Sequence, residues 1–223
     1  MRISVVIPAK DEAGVIAEVV AGCLRHAAEV IVIDGHSKDG TRERAGTAGA
    51  RVALDNGCGK GAAIRQAADE VTGDVVVFID ADGSHNPDDI PRLVAPILAG
   101  EADHVSGSRL LGGSSELHGG FDECLRLMGS SFITACINWR FGVRLSESQN
   151  GFRAIRADVL RALRLRENIT TIEQEMIMST IRQGYRMGEV PAHEYPRRCG
   201  ESHIRVARVA PRYVYSLVRG LLF

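Results

Sequence analysis

Short apolar runs alternate with helix-patterned stretches through the first half of the chain, and aspartates stand where two of those runs end. ISVVIPA at 3–9, EVIVIDG at 29–35 and GDVVVFIDADG at 73–83 read as buried strands, with RVALD at 51–55 a weaker candidate and HVSGSR at 104–109 another. Between them, residues 15, 16, 19, 20 and 24 line one helical face of 12–24, and 59–71 is also helical. This order predicts an α/β fold with a mostly parallel central sheet and flanking helices.

Past residue 109 the alternation becomes irregular. LLGGSSELHGG at 110–120 has the Gly and Ser content of a loop. Helices are expected near 121–139, 156–164 and 173–183, followed by a strand-like MGEVPAHEY at 187–195. No Pro- or Ser-rich linker and no internal repeat divides the 223 residues, so 1–223 reads as one domain with a nucleotide-binding N-terminal half and an acceptor-binding C-terminal half.

Composition removes several classes of function. The formal charge of -1 gives no reason to expect a nucleic-acid partner. Cys23, Cys58, Cys124, Cys136 and Cys199 are odd in number, widely spaced and free of a CxxC pair, which fits reduced intracellular thiols better than a disulfide framework or a zinc site. The start MRISVVIP has no signal-peptide pattern. No apolar run reaches the roughly 20 residues needed to cross a bilayer, so membrane contact would be peripheral.

Asp34, Asp80 and Asp82 lie at or just past predicted strand ends. In open α/β sheets ligands bind at that edge. Asp80 and Asp82 share a face if the strand continues through them, or converge around a turn if it stops. Two such oxygen donors suit Mg2+ or Mn2+, with diphosphate and water completing the shell. The plainer reading is that they end strands and cap helices, as Asn86, Asp88 and Asp89 do well. NGCGKGAAIRQA at 56–67 lacks both the Walker A spacing and the dinucleotide fingerprint. Lys60, between Gly59 and Gly61, can neutralise a diphosphate while backbone N–H groups approach it, or simply begin a solvated helix.

The ordered set VVIPAKDE, VIDGHSKDGT, NGCGKGAA, FIDADG, SGSR, SQNGFR, EQEM and PRRCGES resembles the family 2 glycosyltransferases of GT-A fold. Within them it is most similar to dolichyl- and polyprenyl-phosphate mannosyltransferases and their glucosyl and N-acetylglucosaminyl relatives. The resemblance covers about 1–205. It implies that Pro8, Glu12 and Asp34 hold the nucleotide base and ribose, that Lys60 lies near the nucleotide, and that Asp80 contacts nucleotide or sugar. Asp82 takes the position of the principal metal ligand of the DXD motif. Arg109 and Arg153 match basic positions near the diphosphate and acceptor phosphate, Glu173 or Glu175 the acidic position near the transferred sugar, and Arg197 an arginine that precedes an acceptor-phosphate segment.

The chain also departs from its relatives. GSHNP follows DAD where a leucine-glutamine-histidine-proline pattern is usual, putting Ser84 at the place of a metal-binding glutamine and leaving His85 as a further candidate ligand. His203 stands where lysine is common at the acceptor phosphate. Glu147, Gln149 and Asn150 replace an aspartate and small hydroxyl residues, which implies a difference in acceptor or sugar specificity.

The implied activity is that of a metal-dependent nucleotide-sugar glycosyltransferase, EC class 2.4. It would transfer a hexose or N-acetylhexosamine, with inversion, from a UDP- or GDP-sugar to a polyprenyl (dolichyl or undecaprenyl) phosphate, in the cytoplasm or peripherally at the cytoplasmic membrane face. Alternatives are transfer to a soluble hydroxyl acceptor, with Glu173 or Glu175 as general base, and a non-catalytic nucleotide-sugar-binding regulator. A homo-oligomer is compatible with each. Taken singly, Arg153 also reads as a packing or capping residue, Arg109 as a solvated strand end, and the EQEM glutamates as the polar stripe of a helix. The segment 197–223 interleaves arginines with Val, Tyr, Leu and Phe, which suits either a lipid interface or a helix docked on the body, and Pro211 is expected to break or redirect it.

Overall fold

Valine and isoleucine runs dominate the first strands because these strands are covered on both faces. The computed structural model describes residues 1–115, 121–198 and 206–222. The first half contains β1 (Ile3–Ala9), α1 (Ile16–Leu24), β2 (Glu29–Asp34), α2 (Thr41–Thr47), β3 (Arg51–Leu54), α3 (Lys60–Glu70), β4 (Val75–Phe78) and α4 (Ile90–Leu98). After these come β5 (His104–Ser108), α5 (Arg109–Gly112), α6 (Phe121–Phe141), β6 (Arg153–Arg156), α7 (Ala157–Ala162), α8 (Ile172–Arg182), β7 (Met187–Pro191) and α9 (Val206–Leu222).

The strands form one seven-stranded sheet in the order β3-β2-β1-β4-β6-β5-β7. All its pairings are parallel except those of β6, which runs antiparallel between β4 and β5. Side chains alternate between two buried layers. Val5, Ile7, Val30, Val32, Val75 and Val77 pack on one side with α1 and α4 through Val19, Val20 and Leu93. Val6, Ile31, Ile33, Val76 and Phe78 pack on the other with α3 and α8 through Ile64 and Met176. A third cluster joins Ile133 and Ile137 of α6, Ile177 and Met178 of α8, and Leu217 of α9.

Several expectations need correction. The apolar run at 73–83 forms a strand only over Val75–Phe78, and Asp80 and Asp82 lie in the turn beyond it. Residues 12–15 form a turn before α1, and α2 and α4 are additional helices. Asn86 begins the lead-in to α4, accepting the Asp88 N–H at 3.0 Å. The segment read as loop opens with α5, one helical turn whose Leu111 N–H is bonded by Ser108. Pro211 does not break α9. The helix continues through it from Val206 to Leu222, and the proline itself is exposed.

Candidate active site

Three chain turns meet at the carboxyl ends of β1, β2 and β4. The turns after β1 and β2 are stitched together by side chain to backbone bonds. Ser37 accepts from the Asp11 N–H at 2.8 Å, Thr41 from Glu12 at 2.9 Å and Asp39 from Ala13 at 2.9 Å, while Asp11 accepts from Lys38 at 2.8 Å. Asp11 and His36 have positive φ in these turns. The ties hold Glu12 beside the sheet edge. Asp34, the last residue of β2, is fully buried; one carboxylate oxygen accepts from the Ser37 N–H at 3.0 Å, and the other has no partner among the described residues. Pro8 lies in β1 opposite Ile33.

After β4, Asp82 folds back so that its Oδ1 accepts from the Ser84 N–H at 3.0 Å. The chain at 195–198 crosses this turn, with the Tyr195 N–H on the Ser84 carbonyl at 2.9 Å and the Arg198 N–H on the Asp82 carbonyl at 3.0 Å. That crossing brings Arg197 over the acidic edge. Its guanidinium lies 2.9 Å from Asp82 Oδ2 and 3.8 Å from Glu12 Oε1. Glu12 Oε2 has no partner among the described residues. Burial, with the charge of Asp82, raises the Glu12 pKa from 4.5 to about 7, against the opposing pull of Arg197.

Lys60 bridges Asp80 Oδ1 at 2.6 Å and Glu173 Oε1 at 2.9 Å. Burial opposes the charge on each of Lys60 and Asp80, but their mutual attraction wins, so the lysine pKa is raised and the aspartate pKa lowered. Gly151 seals the pair from below. A Cβ there would lie 2.6 Å from Asp80 Oδ2 and 2.8 Å from Lys60 Nζ, so a larger residue would push the tips of this pair aside. The N–H groups at the start of α3 are not open to a phosphate as the sequence suggested: Gly61 and Ala62 donate to the Asn168 carbonyl at 2.7 and 3.3 Å. The segment before α8 has taken that place.

The remaining cations are more enclosed than their sequence setting implied. Arg109 is clamped by Glu147, on Nε at 2.6 Å and through its own backbone N–H at 2.8 Å, and by Glu194 on Nη1 at 2.8 Å. Burial resists its charge, yet the two carboxylates push its pKa upward. Arg153 is fully buried and donates to the carbonyls of Asn150 at 3.1 Å and Glu173 at 2.9 Å. In this arrangement it braces the loop before β6 against α8 and has no exposed surface for a phosphate. Burial lowers its pKa.

Glu173 and Glu175, two residues apart on α8, have separate surroundings. Glu173 reaches Lys60 at the cleft, whereas Glu175 accepts the backbone N–H groups of Arg166 and Glu167 at 2.9 and 2.8 Å. His85 is buried and stacked on Phe152, ring centroids 5.2 Å apart, and its Nδ1 has no hydrogen-bond partner among the described residues. His203 lies outside the described residues. The structure thus brings together Glu12, Asp82 and Arg197 in one group and Lys60, Asp80 and Glu173 in a neighbouring one. Glu194 and Gly151 were not singled out from sequence; Gly151 had a signal in its NGFR setting, and Glu194 had none.

The donor set suits a divalent cation. Asp82 presents an oxygen already matched to a positive charge, and beside it Glu12 keeps a buried oxygen without a donor. Among the described residues no three His, Cys, Asp or Glu side chains form a ready-made cage.

This mostly parallel sheet with its flanking helices is the fold of the GT-A glycosyltransferases. Glucosyl-3-phosphoglycerate synthase of Mycobacterium tuberculosis, solved with Mn2+, UDP-glucose and phosphoglyceric acid, matches 99% of this chain and 79% of its own at a TM-score of 0.78 and 24% identity, a likeness of fold. The model of the family described as glycosyl transferase family 2 matches residues 4–163, and the chain belongs to that family. It is 32% identical over 221 residues to an undecaprenyl-phosphate mannosyltransferase of Micrococcus luteus, covering 91% of this chain and 87% of the relative. Glycosyltransferase AglJ of Haloferax volcanii is 32% identical over 200 residues, 89% of this chain; the chain spans 64% of AglJ's length.

Proposed function

We propose that the protein transfers a hexose or N-acetylhexosamine from a UDP- or GDP-sugar to a polyprenyl phosphate, with inversion, at a membrane surface. The observation that carries this reading is Arg197 seated on Asp82 and Glu12 at the edge of the sheet. An anionic pocket suited to a cation and a partly exposed arginine suited to a phosphate stand side by side. The likeness to an undecaprenyl-phosphate mannosyltransferase supports the acceptor class.

Pro8, Glu12 and Asp34 would flank the base and ribose at the ends of β1 and β2, where Asp34 Oδ1 has no partner among the described residues. Asp82 would hold Mg2+ or Mn2+, with Glu12 and Asp80 as neighbouring carboxylates. The cation when bound supplies charge neutralisation on the departing diphosphate. Arg197, freed from Asp82, turns its guanidinium to the acceptor phosphate and holds two of its oxygens. One phosphate oxygen then attacks the anomeric carbon as the carbon–oxygen bond to the diphosphate breaks, and the nucleoside diphosphate leaves with the electron pair. The dianionic acceptor needs no general base, so positioning and charge carry the rate. Lys60 and Glu173 fix Asp80 beside the sugar. Arg109 and Arg153 act by holding the walls of the cleft.

The test is transfer of labelled sugar from pooled UDP- and GDP-sugars into an extractable polyprenyl-phosphate product, with and without Mn2+. Metal-dependent product is expected. Donor hydrolysis or transfer only to water-soluble acceptors would overturn the lipid-phosphate reading.

A further inference from the structure

The outer faces of α6 and α9 break the usual sorting of apolar residues. Leu125, Met128, Phe132 and Trp139 recur at helical spacing along α6, and all are exposed, Phe132 to 66% and Trp139 to 85%. On α9, Val214, Tyr215, Val218 and Leu222 form a second exposed stripe. Both helices bury their opposite faces in the same cluster, through Ile133, Ile137 and Leu217, so both stripes point away from it. The helices meet at their ends, where Arg140 Nε donates to the Leu221 carbonyl at 3.0 Å. Such paired apolar stripes mark an interaction surface.

Charge selects the partner. The chain as a whole has 27 basic and 28 acidic residues, yet no Asp or Glu occurs from 125 to 146 or from 202 to 223. Arg126, Arg140 and Arg144 lie in the first stretch, and Arg212 and Arg219 in the second. Arg212 and Arg219 also pair with the buried carboxylate of Glu167, at 3.0 and 3.9 Å, whereas Arg126, Arg140 and Arg144 of the first stretch are exposed. Apolar stripes whose exposed charges are cations fit an anionic lipid surface, with aromatic rings and aliphatic groups in the interface and guanidinium groups at the headgroups. A second copy would place like charges against each other. The surface also adjoins the site, because the Tyr213 carbonyl on α9 accepts from Gln174, the neighbour of Glu173, at 3.1 Å. We propose that the α6 and α9 face is a docking surface for an anionic lipid bilayer, which holds the cleft against the membrane. The proposal shares with the proposed function the premise of a lipid acceptor, but its test does not depend on one.

Trp139 is the only tryptophan in the chain and lies on the stripe, so its emission reports contact directly. The full chain is mixed with vesicles of phosphatidylcholine alone, or with phosphatidylglycerol added, none containing polyprenyl phosphate. A blue shift and co-flotation with the anionic vesicles are expected, both weakened by salt. Phe132→Glu should abolish the shift with its circular dichroism unchanged, since the ring contacts little protein. Arg126→Gln with Arg144→Gln should weaken partition on the order of tenfold. Unchanged emission and recovery in the aqueous layer would overturn the proposal. So would a blue shift that follows protein concentration without lipid, with a dimer in ultracentrifugation, because a second copy would then cover the stripe. Transfer to a short, water-soluble prenyl phosphate is assayed in parallel. Transfer without vesicle binding defeats the surface alone, and vesicle binding without transfer defeats the acceptor reading alone.

Discussion

The donor half and the acceptor half of the cleft treat charge in opposite ways. Around β1 and β2 the buried groups left open are acceptors, Glu12 Oε2 and Asp34 Oδ1. Around β5 and β6 the cations are already satisfied, Arg109 by two carboxylates and Arg153 by two carbonyls. Arg197 is the link between them, a partly exposed cation resting on the acidic side. The contrast teaches that arginines in a phosphate-handling site need not all face phosphate. Some hold the walls, and their replacement should register as lost stability; the open acceptors should register as lost activity and altered pH response.

The largest effect is expected at Asp82. In Asp82→Asn the amide oxygen can still accept the Ser84 N–H, so the turn survives while the charge facing Arg197 is removed. Transfer should fall roughly 10²–10³-fold, with the melting temperature close to wild type. Activity within a few-fold of wild type would take Asp82 out of the chemistry. Arg153→Ala should do the reverse. It leaves the Asn150 and Glu173 carbonyls without their donor and opens a void, costing about 3 kcal/mol. That is a melting shift of roughly 6–12 °C for a chain of this size. Below that transition its KM for acceptor should match wild type. A raised acceptor KM with an unshifted melt would return Arg153 to the phosphate.

Much of the donor half was legible because its signals are local. The valine and isoleucine runs of β1 and β2 give their own strands, and Asp34 falls on the last residue of β2. The acceptor half depends on distant partners. RAIR at 153–156 is too short to announce a strand, and it becomes β6 only by pairing with β4 and β5. The enclosure of Arg153 was hidden for the same reason, since one of its carbonyls comes from Glu173 on α8. The glycines flanking Lys60 suggested a phosphate cradle, but the carbonyl that fills it belongs to Asn168. EQEM offered two equivalent glutamates, and only the turn of α8 separates Glu173 at Lys60 from Glu175 on the backbone of 166–167. The helix of α6 was expected from the sequence, but the outward placing of Leu125, Met128, Phe132 and Trp139 was not, because it depends on which face α8 and α9 cover.

The smallest effect tests the open acceptors directly. Glu12 has its folded pKa raised from 4.5 to about 7, chiefly by burial and then by Asp82. Between those values the folded chain keeps a proton that the unfolded chain has released, so stability falls as pH rises through this window and levels off above it. The total should be on the order of 1–2 kcal/mol, the full shift discounted for solvent screening. Urea unfolding across that pH range should show the slope in wild type and lose most of it in Glu12→Gln, which keeps the shape without the titration. Mg2+ should flatten it in wild type too, by favouring the ionised carboxylate, and leave Glu12→Gln unmoved. If Glu12→Gln keeps the whole slope, the donor side holds no charge-starved carboxylate at Glu12. The two halves of the cleft would then differ in which side chains they carry, and not in whether those side chains are left open.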